Sequence, residues 1–155
     1  MPNTYTQLHV QIVFAVYGRE NLIHEKYRNE LEKIICNIVA DNQSKPLAIY
    51  CNPDHVHILI GLNPAISVSK MAEVIKSESS GWLNREKKIV GKFGWQRGYG
   101  AFSYSKTQLG DVIKYILNQP EHHKCKTFRE EYMDFLNKFD VSYDEQYLFD
   151  FLDHV

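Results

Sequence analysis

Residues 55–60 read His55-Val56-His57-Ile58-Leu59-Ile60. Side chains of a strand alternate between its two faces. His55 and His57 therefore share one face, and Val56, Ile58 and Ile60 share the other, which can be buried. Neutral imidazole nitrogens are common metal ligands, so the pair is a candidate cation site. Taken alone His-x-His is a weak signal. Two partly exposed polar residues on a half-buried strand would read the same.

The flanks place this strand in a fold. Asn52-Pro53-Asp54 is a turn, and residues 46–52 (PLAIYCN) form a short apolar strand before it. The histidines thus stand on the second arm of a hairpin, which Asn63-Pro64 ends. Residues 4–16 (TYTQLHVQIVFAV) are apolar and β-branched and read as a first strand, closed by Gly18 and Asn21. Between them, residues 24–42 carry Tyr27, Leu31, Ile34, Ile35 and Ile38 at helical spacing. Downstream, Ser67 can cap a helix over 68–87 whose buried side is Val68, Met71, Val74, Ile75 and Trp82. Its other side carries Lys70, Glu73, Lys76, Ser77 and Ser80. Residues 91–98 read as a loop and 99–105 as another strand. Ser105-Lys106-Thr107-Gln108 fits a capping box opening a helix over 107–119, with Pro120 as its stop. A last helix spans 127–139, with Phe128, Tyr132, Phe135 and Leu136 inward. Residues 143–155 form an acidic, aromatic arm that can pack on the body or on a partner. This order predicts an α+β, ferredoxin-like sandwich, an antiparallel sheet with helices on one face. One domain over 1–155 is expected, with a core over about 4–130 and an acidic helical tail over 131–155.

Bulk properties narrow the classes. Hydrophobic content of 44% and charged content of 24% are ordinary for a soluble globular protein. MPNTYTQLHV has no basic region followed by an apolar run, so no secretory signal is read. No apolar stretch approaches the roughly 18 residues of a membrane span. Cys36, Cys51 and Cys125 are odd in number and widely spaced, which argues against a disulfide framework or a thiolate zinc site and for a reducing cytoplasm. The net charge of −1 hides an asymmetry. From Val68 to Arg97 seven basic residues face three acidic ones, whereas from Arg129 onward eight acidic residues face two basic ones.

Roughly sixty residues after the histidines, the helix over 107–119 has an apolar stripe of Leu109, Val112, Ile113 and Ile116. Gln108, Asp111, Tyr115, Asn118, Gln119 and His122 form the other. Tyr115 and Gln119 are four apart, hence one turn from each other on one side. By itself a tyrosine at the edge of an apolar stripe reads as a buried ring with a wet hydroxyl.

The combination says more. His55-Val56-His57 before an apolar strand resembles the HUH motif, two histidines around a hydrophobic residue. Tyr115-Ile116-Leu117-Asn118-Gln119, followed by Pro120-Glu121-His122-His123, resembles the tyrosine helix of the one-tyrosine HUH transposases of the IS200-like family. These small enzymes move insertion sequences as single-stranded DNA. Gly98-Tyr99-Gly100-Ala101-Phe102 and Lys76-Ser77-Glu78-Ser79-Ser80 are also similar to the family. The likeness runs from about Tyr5 to Glu130, and the pairing of the two motifs is more specific than either part.

The resemblance implies cleavage and rejoining of DNA through a 5′-phosphotyrosine link, with Tyr115 as nucleophile. It implies a divalent cation, Mg²⁺ or Mn²⁺, held by His55, His57 and the side-chain carbonyl of Gln119. His122 and His123 are read as surface or DNA-side residues. It further implies a single-stranded DNA hairpin at the element ends as partner, a homodimer in which the tyrosine helix can be exchanged between subunits, and neither membrane nor nucleotide cofactor. Lys76, Arg85 and Arg97 are the first candidates for phosphate contacts, against the alternative of a solvated helix face. Two rival functions remain open. One is a non-catalytic, repressor-like dimer that binds hairpin DNA, and the other is a different HUH nickase.

Overall fold

The computed structural model describes residues 3–18, 22–89 and 91–152. The expected end of the first strand at Asn21 lies outside the described residues. In chain order the elements are β1 (His9–Ala15), α1 (Glu25–Asp41), β2 (Lys45–Cys51), β3 (His55–Gly61), α2 (Val68–Arg85), β4 (Gly100–Tyr104), a 3₁₀ turn (Lys106–Gln108), α3 (Leu109–Leu117), α4 (Gln119–His122), α5 (Phe128–Lys138) and a final 3₁₀ turn (Glu145–Tyr147). The four strands form one antiparallel sheet in the order β2-β3-β1-β4. This is the ferredoxin-like arrangement that the element order predicts.

The alternation in β3 sets the two faces. Val56, Ile58 and Ile60 join Val10, Ile12 and Phe14 of β1, and Val16 just after it, in a core closed by Tyr27, Leu31, Ile35 and Ile38 of α1 and Met71, Ile75 and Leu83 of α2. Apolar burial of this kind stabilises by about 1.5–3 kcal/mol per large side chain. α2 starts as expected, with the Ser67 hydroxyl accepting from the Lys70 N–H at 3.0 Å. The expectation of helices on one face describes α1 and α2. The opposite face is covered as well, because it too carries apolar residues. There Val112 and Ile116 of α3 pack on Ala48 and Leu59. Phe128, Tyr132 and Leu136 of α5 pack on Val13, Ala15 and Phe102. His55 and His57 stand on this second face, under α3 and α5.

Two elements differ in their bounds from the sequence reading. β1 begins at His9 rather than at Thr4, because His9 already pairs with Gly61 and Tyr104, the last residues of the neighbouring strands. The helix expected over 107–119 is broken into α3 and α4 at Asn118 (φ −100°, ψ 21°). Pro120 is therefore not a stop. It sits in the first turn of α4, where its missing N–H would have no helical partner anyway. The acidic arm packs on the body: Phe149 is buried against Tyr132 and Phe128. Gln96 pins it through two bonds to the Asp150 backbone, donating to the carbonyl at 2.8 Å and accepting from the N–H at 2.7 Å.

Gly100 faces the Tyr132 ring so closely that a Cβ there would lie 2.7 Å from the hydroxyl oxygen and 2.8 Å from Cε1. Tyr132 is held by Phe128 and Phe149 and has little room to retreat. Gly100→Ala is therefore expected to lower unfolding stability by about 1–3 kcal/mol, read from urea unfolding curves. An unchanged midpoint would show that α5 is held loosely.

Candidate active site

β3 presents His55 and His57 on the α5 side, with ring centroids 5.1 Å apart. Both are fully buried, at 1% and 0% exposure. Each ring has an oxygen acceptor at Nδ1. Asp54 Oδ1 lies 2.7 Å from that atom of His55, and Gln11 Oε1 lies 2.6 Å from that of His57. Gln11 comes from β1 and donates from Nε2 to the Tyr104 hydroxyl at 2.7 Å. Phe128 stacks on the His55 ring at 3.8 Å, nearly parallel. Partners of this kind fix ring orientation and leave Nε2 for a ligand.

Both Nε2 atoms point at one carboxylate oxygen. Glu131 Oε1 lies 3.2 Å from His55 Nε2 and 2.9 Å from His57 Nε2. Glu131 comes from α5 and is 2% exposed. His123 Nε2 stands 3.3 Å from the same oxygen. The other oxygen, Oε2, accepts a hydrogen bond from the Tyr115 hydroxyl and one of 3.0 Å from Gln119 Nε2. Gln119 Oε1 in turn accepts from Asn52 Nδ2 at 3.0 Å and lies 3.0 Å from His123 Nε2. Tyr115 reaches its position by packing edge-on to His57 (6.1 Å) and stacking on His122 (4.4 Å). A cavity of about 320 Å³, lined in part by Tyr115, Glu131, Gln11 and Lys126, opens beside the hydroxyl.

The electrostatics follow from burial and this shared carboxylate. Burial alone would raise the Glu131 carboxyl. The His57 imidazole and the contacts with His123 and His55 outweigh it and hold the group far below the usual carboxylate range. Burial would lower His55, but hydrogen bonds with Asp54 and Glu131 push it up to about 8. His57 goes the other way: burial pushes it down, and the charges of His55 and His123 add to that despite Glu131. The Tyr115 phenol is pushed well above the ordinary range, first by burial and then by the Glu131 charge.

The donor set fits a divalent cation. His55, His57 and Glu131 offer ligand atoms that all lie within 4.8 Å of one another. Neighbouring ligands on an octahedral ion with bonds of about 2.1 Å stand about 3.0 Å apart, and the imidazole-to-carboxylate distances match that spacing.

The structure brings together His55, His57, Tyr115 and Gln119 from the sequence reading. It adds Glu131, His123, His122, Gln11, Asn52 and Asp54. His122 and His123, read as surface or DNA-side residues, stand at the site: His122 stacks on the Tyr115 ring, and His123 Nε2 lies 3.3 Å from Glu131 Oε1. One signal for Glu131 was available. It falls at helical spacing between Phe128 and Phe135, an acid on the apolar stripe of an amphipathic helix. Lys76, Arg85 and Arg97 lie away from this cluster. Arg85 and Arg97 are exposed, whereas the half-buried Lys76 donates from Nζ to the Gly98 carbonyl at 2.7 Å. Four lysines, Lys26, Lys87, Lys88 and Lys92, line an open groove at the end of α2. Among the described residues no helix is long and apolar enough to cross a membrane.

Comparison with known proteins agrees with the fold and the family resemblance. The family profile described as "Transposase IS200 like" matches residues 4–119. The ISDra2 transposase TnpA of Deinococcus radiodurans is 23% identical over 118 residues, covering 73% of this chain and 84% of that protein. A candidate transposase from Deinococcus radiodurans R1, solved by crystallography, superposes with a TM-score of 0.59 at 20% identity, covering 76% of this chain and 94% of that one. The REP-associated tyrosine transposase bound to a REP hairpin superposes with a TM-score of 0.59 at 15% identity, covering 78% of this chain and 72% of that one.

Proposed function

The chain belongs to the IS200-like transposase family, and from that premise we propose that it cleaves and rejoins single-stranded DNA at insertion-sequence ends with Tyr115 as nucleophile. The observation that carries this reading is the convergence of the Tyr115 hydroxyl and both imidazole Nε2 atoms on one buried carboxylate. In the proposed step the Tyr115 oxygen attacks a phosphodiester. The oxygen–phosphorus bond forms, the bond to the 3′-oxygen breaks, the phenol gives up its proton and the departing 3′-oxygen gains one. The bond energy is kept in a 5′-phosphotyrosine, and attack by another 3′-hydroxyl reverses the step. A divalent cation, Mg²⁺ or Mn²⁺, at His55 and His57 would offset charge at the phosphate and orient it. Gln119 is the third residue that the family resemblance implies. The chain's own part is to hold the two rings by Asp54 and Gln11, to seat Tyr115 beside them and to exclude bulk water from their inner side.

The hairpin in the REP-associated relative supports a hairpin as the DNA partner here. Arg85 and Arg97 are proposed phosphate contacts, with Lys76 acting beside them and fixing the loop that carries Arg97. Arg97→Ala is expected to reduce the slope of log affinity against log salt by about 0.7 for single-stranded DNA. An unchanged slope would remove Arg97 from the interface.

We also propose a homodimer in which the tyrosine helix is exchanged between subunits, as the family resemblance implies. Mixing Tyr115→Phe with His57→Ala protein is then expected to restore covalent product, whereas no product would mean that each site closes within one chain. The function itself is tested with single-stranded DNA carrying the ends of the protein's own genomic locus. A protein–DNA adduct on a denaturing gel, formed with Mg²⁺ or Mn²⁺ and lost with EDTA, is the expected result. Tight, salt-sensitive binding with no adduct would instead favour a non-catalytic hairpin binder.

A further inference from the structure

We propose that Glu131 bridges the cation and the nucleophile, with Oε1 as a cation ligand beside the His55 and His57 Nε2 atoms and Oε2 holding the Tyr115 hydroxyl. The inference rests on the function proposed above and assigns the ligand place expected of Gln119 to a carboxylate from the C-terminal helix. Glu131 lies twelve residues beyond Gln119, where the family match ends.

Donor and acceptor counting carries the first half. A neutral imidazole has one N–H. His57 faces acceptor oxygens with both nitrogens, Gln11 Oε1 at 2.6 Å and Glu131 Oε1 at 2.9 Å. One of these contacts therefore opposes two lone pairs. His55 completes the trio, with Asp54 Oδ1 at its Nδ1 and its Nε2 3.2 Å from the same Glu131 Oε1. Opposed lone pairs buried at 0–2% exposure are costly. A divalent cation among the three atoms would replace the Nε2–Oε1 contacts with ligand bonds and leave each Nδ1 to its own oxygen. Gln119 does not offer the same chance. Its Oε1 is occupied by Asn52 and His123, and its Nε2 donates to Glu131 Oε2, so it orients the carboxylate.

The second half rests on Oε2. The Tyr115 hydroxyl and the Gln119 amide both donate to it, which ties the nucleophile's oxygen to the ligand group through one rigid side chain. α5 is well placed to do this. The Thr127–Glu130 capping box fixes its start, and Phe128 is stacked on His55 one turn before Glu131.

The test compares wild type, Glu131→Gln, Glu131→Asp and His57→Ala. Mn²⁺ affinity is measured by electron paramagnetic resonance without DNA, adduct formation at saturating Mn²⁺, and folding by circular dichroism. Glu131→Gln is expected to weaken Mn²⁺ binding about ten- to hundredfold and to slow adduct formation at least about tenfold once Mn²⁺ is saturating. Mn²⁺ binding as tight as wild type or tighter in the folded variant would overturn the ligand half, since a carboxylate that only fills the site should leave the cation better bound when removed. A wild-type adduct rate at saturating Mn²⁺ would overturn the nucleophile half. Should Glu131→Gln not fold, Glu131→Asp decides, because a side chain one methylene shorter cannot span both contacts. A lower adduct rate is expected, and wild-type behaviour would overturn the bridge. Loss of Mn²⁺ in His57→Ala but not in Glu131→Gln sinks this inference and leaves the proposed function standing. No Mn²⁺ binding by the wild type would sink both.

Discussion

Tyr115→Phe is expected to abolish covalent DNA attachment, a loss on the order of 10⁴-fold or more, while hairpin binding stays within about twofold of wild type. The ring is what packs: it stacks on His122 and stands edge-on to His57 and Phe135. Phenylalanine keeps those contacts and loses only the hydroxyl. The lost hydroxyl donates to Glu131 Oε2, which still receives Gln119 Nε2 at 3.0 Å. The carboxylate is thus left with a partner, and the stability cost is expected to stay near 1 kcal/mol. Thermal melts together with a hairpin-binding titration separate the two effects. Equal loss of binding and attachment would contradict the role proposed for Tyr115.

His57→Ala is expected to remove cation binding and, with it, DNA cleavage in Mg²⁺ or Mn²⁺, a loss of more than about 100-fold in cation affinity. Its position explains the size. His57 pairs with Val13 in the middle of the β1–β3 ladder and is 0% exposed. Leu59, the next residue on that face, packs on Val112 and Ile116 and offers no ligand atom. The substitution also strips Glu131 of its closest imidazole, so a stability loss of about 1–3 kcal/mol is expected beside the functional one. A variant that cleaves at wild-type rates with added Mg²⁺ or Mn²⁺ would remove His57 from the site. Isothermal titration with Mn²⁺ gives the affinity, and the denaturing gel gives the cleavage.

Much of the fold was legible because local signals agreed. The hairpin turn at Asn52-Pro53-Asp54, the alternation in β3 and the Ser67 and Ser105 caps each act over a few residues, and the structure has all of them. The helix break at Asn118 was not legible. Tyr115 and Gln119 at a spacing of four read as one continuous helix, and nothing local forbids it. The two residues still meet, through Glu131 rather than along a helix face. Gln11 carried a faint signal as the lone polar residue in the run from Val10 to Ala15, on the same face as Val13 and Ala15. Asn52 and His123 carried none, because their roles come from contacts across the sheet and across the chain. The acidic C-terminal count masked Glu131. Net charge treats every acid alike, whereas this one faces inward at the spacing of Phe128 and Phe135.

The most direct test of the central claim is to map the DNA-linked residue. Single-stranded DNA carrying the locus ends would be incubated with the protein and Mn²⁺, the adduct digested, and the modified peptide sequenced by mass spectrometry. A 5′-phosphonucleotide on Tyr115, within the peptide that leads into Gln119, is the predicted result. A link to any other residue, or none under conditions where the hairpin binds, would contradict the assignment of Tyr115 as the nucleophile.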